Sequence, residues 1–98
     1  ITLGAPMAMI ATKSIEEAGS EAKLATFDVN DEALQAIKDG KIEWAVDQQP
    51  YVQGYMAIDS LWLRVQKGAS TGGGEPVYTG PAFIDDANVD ILLEQQAK

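Results

Sequence analysis

The placing of proline and glycine limits what this 98-residue chain can become more than any other feature. Pro6 suits a first helical turn, where the missing N–H costs nothing, and Gly19 suits the exit. Between them Met7, Ala11, Ile15 and Ala18 recur at helical spacing, while Lys13, Glu16 and Glu17 fall elsewhere. Asn30 is a good N-cap for a second helix that carries Ala33, Leu34 and Ile37 and stops at Gly40. A third helix runs from Pro50 to just before Gly68, with Tyr51, Tyr55, Ile58 and Trp62 in one apolar row and Ile58, Leu61 and Val65 in another. Short runs with strand character lie ahead of the first helix, at 1–3, and between the helices, at 23–27 and 42–46. A last strand is expected over 77–84, interrupted by Gly80-Pro81, and a last helix over 88–97. Strand and helix in alternation predict an α/β fold, a parallel sheet flanked by helices on both faces.

Composition removes whole classes of function. Seven Lys and Arg stand against 15 Asp and Glu, a formal charge of −8. Nucleic-acid partners are set aside, because phosphate binding needs clustered cations. With no cysteine and no histidine, thiolate nucleophiles, histidine bases, disulfides and the usual zinc sites are excluded. No run approaches the roughly 20 apolar residues that a membrane-spanning helix needs. Gly72-Gly73-Gly74 lacks the Gly-Lys-Ser/Thr ending and the following helix of a phosphate loop, so 69–75 reads as a plain exposed loop. No catalytic residue, metal site or cofactor is assigned. The chain opens on Ile1 without a basic and apolar leader, and it is read as a fragment.

In open parallel sheets ligands lie beyond the carboxyl ends of the strands. That rule directs attention to Gly4-Ala5, Asp28-Val29 and Asp47-Gln48. Asp28 closes one strand and Gln48 follows the next, so adjacent parallel strands would bring them to one rim. A carboxylate accepts from two neighbouring hydroxyls, and an amide both donates and accepts, which together make a polyol reader. The competing reading is structural: Asp28 caps the following helix and Gln48 satisfies turn backbone. Trp44 and Trp62 are read as core packing rather than sugar platforms. Of Asp47 and Gln49, one is expected to bond locally and neither to touch ligand.

Thr26-Phe27-Asp28, then Leu34-Gln35-Ala36-Ile37-Lys38-Asp39-Gly40-Lys41-Ile42, resembles the type I periplasmic sugar-binding proteins. So does Val46-Asp47-Gln48-Gln49-Pro50-Tyr51-Val52-Gln53-Gly54-Tyr55. Pro6-Met7-Ala8 through Glu17-Ala18-Gly19, Thr79-Gly80-Pro81-Ala82 and Asn88-Val89-Asp90 are similar to further parts of that family. The resemblance implies a periplasmic-binding-protein-like I fold, with 1–98 a single partial lobe from the C-terminal region of a two-lobed receptor. It implies a sugar- or polyol-binding receptor of an ABC importer, not an enzyme, working with a membrane permease. It places the protein in the periplasm or outside the cell, lipid-anchored in Gram-positive bacteria. Asp28 and Gln48 match the family's sugar-binding positions, and Gly4-Ala5 stands where many relatives carry an Asn-Asp pair. The third polar contact of this lobe is therefore expected to be absent or made by backbone at Gly4. Gly80-Pro81 falls where the resemblance puts a crossing segment between lobes. A fragment lacking the opposing wall is expected to bind sugar weakly and to self-associate through exposed apolar surface. The effector domain of a LacI-type repressor is the alternative, and acid–base chemistry by Asp28 and Asp47 ranks third.

Overall fold

In the computed structural model the helices begin and end where proline and glycine predict. The structure describes all residues from Ile1 to Lys98 except the side chain of Gln96. Helix α1 spans Ala5–Glu17, strand β1 Ala25–Phe27, helix α2 Asp31–Lys38 and strand β2 Trp44–Asp47. Helix α3 spans Pro50–Lys67, strand β3 Ala82–Ile84 and helix α4 Val89–Gln96, with a short 3-10 turn at Gly72–Gly74. Pro50 opens α3, and Gly68 closes it in the left-handed conformation that glycine adopts without steric cost.

The chain divides into two compact units, one of Ile1–Asp47 with Ala82–Lys98 and one of Gln48–Pro81. In the first, β1 and β2 pair in parallel, Thr26 opposite Ala45. The expected strand at 1–3 is a single parallel bridge from Thr2 to Thr26. β3 lies on the other side of β2 and runs antiparallel, Asp47 facing Ala82. The direction follows from the path of the chain. It leaves the unit at the carboxyl end of β2 and re-enters beside that same end, so the returning strand must run backwards. Of the expected 77–84, only the last three residues form strand; Pro81, just before them, has no N–H to give a ladder.

The core lies between the sheet and its helices. Ala5 and Ala8 of α1, Ala33, Leu34, Ala36 and Ile37 of α2, and Val89 of α4 pack with Ala45 and Ile84. Thr26 is also fully buried, and its hydroxyl is satisfied: it accepts from Thr2 Oγ1 at 2.8 Å and donates to the Phe27 carbonyl at 3.0 Å. On the opposite sheet face Trp44 meets Phe83 edge-on, with ring centroids 5.8 Å apart, and Phe83 remains 58% exposed. At the surface the Lys38 ammonium donates to Asp90 at 2.7 Å, joining α2 to α4, and that bond raises Lys38 above the ordinary lysine range.

Asn30 caps α2 as expected, its Oδ1 accepting from the Ala33 N–H at 2.9 Å. Asn30→Ala is expected to cost about 1 kcal/mol of stability, the usual worth of such a cap. Thermal unfolding checks this, with the solvent-facing Gln35→Ala as a helix-surface control.

The second unit is different in kind. α3 is its one long helix, and none of its residues is buried. Tyr51, Tyr55, Ile58 and Trp62 line a groove along its surface, and Trp62 is 52% exposed. The core role expected for Trp62 is not realised within this unit, since a single helix has no second layer to bury its stripe against.

Candidate functional site

Register decides what meets at the carboxyl rim of the sheet. Thr2, Thr26 and Ala45 lie abreast in three parallel segments. Two residues past that row in each segment stand Gly4, Asp28 and Asp47. The ladder carries on to the rim, with the Asp28 N–H donating to the Val46 carbonyl at 2.8 Å. The first unit thus brings together two of the three candidate residues, Gly4 and Asp28, with Asp47 beside them. The third candidate, Gln48, is joined to Asp47 by the next peptide bond and is the first residue of the second unit.

Each position has its own backbone state. Gly4 is extended and half-buried, and its carbonyl accepts the Ala8 N–H that starts α1. A Cβ there would meet nothing closer than the Pro6 ring carbon at 3.9 Å, so the rim has room at this point. Asp28 is left-handed, with φ 61°. Aspartate tolerates this better than most residues, yet it still costs energy, and such strain gathers where a side chain must be aimed. Asn30 is the N-cap residue of the helix that follows Asp28. Asp28 and Gln48 both have polar partners within the protein.

Gln49 is also left-handed, at φ 55° and ψ 60°, and immediately precedes Pro50. Its side-chain amide donates to the Thr79 carbonyl at 2.6 Å, across 30 positions of sequence. The Gln53 amide donates to the Gln48 carbonyl at 2.7 Å. The sequence leads one to expect a local bond from Asp47 or Gln49; the bond that Gln49 makes to Thr79 is instead a long-range one. The only signal was an amide pair, Gln48-Gln49, ahead of a helix-starting proline. Within the first unit the rim offers the Asp28 carboxylate with space beside Gly4, which suits a hydroxylated guest.

Known proteins share this fold. The family profile described as periplasmic binding protein domain matches residues 1–70. A carbohydrate transporter from Acidothermus cellulolyticus 11B, solved in complex with myo-inositol, is 47% identical with a TM-score of 0.86, covering 96% of this chain and 33% of its own. A Caulobacter myo-inositol binding protein bound to myo-inositol is 29% identical with a TM-score of 0.74, covering 91% of this chain and 30% of its own. A putative LacI transcriptional regulator from Bacteroides fragilis shares the fold, at 18% identity and a TM-score of 0.73, covering 92% of this chain and 31% of its own. No curated protein matches the chain. The chain spans about a third of the length of these solved structures. With most of its length matched by the family profile, and the alternating α/β elements to go with it, the chain belongs to the type I periplasmic binding proteins.

Proposed function

We propose that the chain is part of the substrate-capturing receptor of an ABC importer, and that its ligand is a polyol of the cyclitol class, such as myo-inositol. The observation that carries this reading is the rim itself, with Gly4 and Asp28 two residues past one register row. The likeness to two myo-inositol complexes supports the ligand class. Asp28 accepts hydrogen bonds from ring hydroxyls and the Gln48 amide donates and accepts, while Gly4 leaves space and offers backbone only. Binding without turnover is the family's work, and Asp28 and Asp47 perform no acid–base chemistry in this reading. Loaded receptor is recognised by a membrane permease after the two lobes close, since the ligand favours the closed state through contacts absent from the open one. The protein acts in the periplasm or outside the cell, held by a lipid anchor where there is no outer membrane.

Calorimetric titration of the full-length receptor with myo-inositol, pentoses and hexoses tests this. Binding of the cyclitol ahead of the aldoses is expected, with no product formed on long incubation. Heat from none of these ligands would reject the reading. The isolated 98-residue chain is expected to bind weakly, because it spans only about a third of the length of the inositol-bound relatives. The repressor reading ranks second, resting on a fold shared at 18% identity.

The open apolar row of α3 supports self-association of the chain on its own. Tyr55, Ile58, Leu61 and Trp62 are all more than half exposed, on neighbouring turns of one helix. Sedimentation at rising concentration is expected to show dimers, and Ile58→Lys is expected to return the chain to monomer. A monomer at every concentration would refute the idea.

A further inference from the structure

The chain passes between its two units twice, after Asp47 and again before Ala82. Gln48 and Gln49 lie just after the first passage, Thr79 and Gly80 just before the second. The Gln49–Thr79 bond, 2.6 Å long, therefore ties the outgoing and incoming ends of the second unit to one another. It also fixes a turn that glutamine does not take by preference, since Gln49 is left-handed without being glycine. Gln53 fastens the carbonyl of Gln48 from the helix side at 2.7 Å. The main chain at Gln48 is thus held at two successive points, by Gln53 at its own carbonyl and by the pinned residue that follows.

We infer that Gln49 is a positioning residue for ligand capture, acting through Gln48. Its amide, anchored on Thr79, holds the left-handed turn next to Gln48 and so limits the conformations open to the Gln48 backbone. Without the anchor the turn relaxes towards backbone states that glutamine prefers, and Gln48 meets the ligand in only a fraction of molecules. Apparent affinity falls by that fraction. The inference rests on the contact role proposed for Gln48, and the test separates the two.

The test is a double-mutant cycle in the full-length receptor, titrated with myo-inositol. Gln49→Met keeps length and removes the donor, and is expected to weaken binding about tenfold, the scale of one lost hydrogen bond that leaves its acceptor unpaired. Gln48→Ala is expected to weaken it by a similar factor. If Gln49 acts through Gln48, the double variant binds no worse than Gln48→Ala alone. Independent losses that multiply to about a hundredfold would overturn the positioning role, as would a Gln49→Met variant that binds like the parent. A normal affinity for Gln48→Ala would instead remove the contact reading, and this inference with it. Gln49→Glu provides a second variant of the same shape. Its carboxylate has no proton to give Thr79 near neutral pH but recovers one as pH falls through the glutamic acid range, around 4.3 when unperturbed. The ratio of its affinity to that of the parent, measured at each pH, is expected to recover on acidification; a ratio that stays flat counts against the inference.

Discussion

Asp28→Ala is expected to abolish useful ligand capture, raising the dissociation constant for myo-inositol by about a hundredfold or more in the full-length receptor. The size follows from the bonds lost. Hydrogen bonds to a charged group are worth about 1.5–3 kcal/mol each, and in the proposed reading Asp28 accepts from two ring hydroxyls, so the variant loses both. Each 1.4 kcal/mol is tenfold in affinity. Asp28→Asn separates charge from shape. Asparagine takes the left-handed backbone at φ 61° as readily as aspartate and keeps one acceptor oxygen. Its loss is expected to be about tenfold, the difference between charged and neutral acceptors. Alanine adds backbone strain of its own at this position, so the asparagine variant tells lost contact from lost structure. Titration calorimetry on both variants checks this, and parental affinity in Asp28→Ala would remove Asp28 from the site.

The largest effect on folding is expected at Leu34. Its side chain is fully buried at the centre of the first unit's core, among Ala33, Ile37 and the neighbouring helices. Leu34→Ala removes buried methyl groups and leaves a cavity, at a cost of about 2–5 kcal/mol. Small domains hold only about 5–15 kcal/mol in total, so this one change consumes a large share. The urea midpoint is expected to fall by about 0.7–5 M, given slopes of about 1–3 kcal/mol per M. A shift within error would mean that the core does not converge on α2. An equally conservative change at the solvent-facing Gln35 leaves the midpoint in place.

The helices were legible because their boundaries are written locally. Pro6 and Gly19, Asn30 and Gly40, and Pro50 and Gly68 each act within a turn of where they stand, so reading them needs no tertiary knowledge. The strand ends were legible for the same reason, and with them the rim at Gly4 and Asp28. The direction of β3 was not. It depends on where the excursion through 48–81 comes back, and no residue near 82–84 encodes that. Trp62 shows the same limit in another form: periodicity states that a helix face seeks burial without saying what covers it. The bond of Gln49 was not legible. A local bond is all that spacing suggests, whereas the partner 30 residues away comes from the fold.

The role of Asp28 is tested most directly by a crystal structure of the full-length receptor with bound polyol, in which one distance matters. The Asp28 carboxylate is expected to stand about 2.5–3.0 Å from ring hydroxyl oxygens, the range for O–H donors. A ligand seated away from this rim, with Asp28 making only contacts inside the protein, would contradict the account.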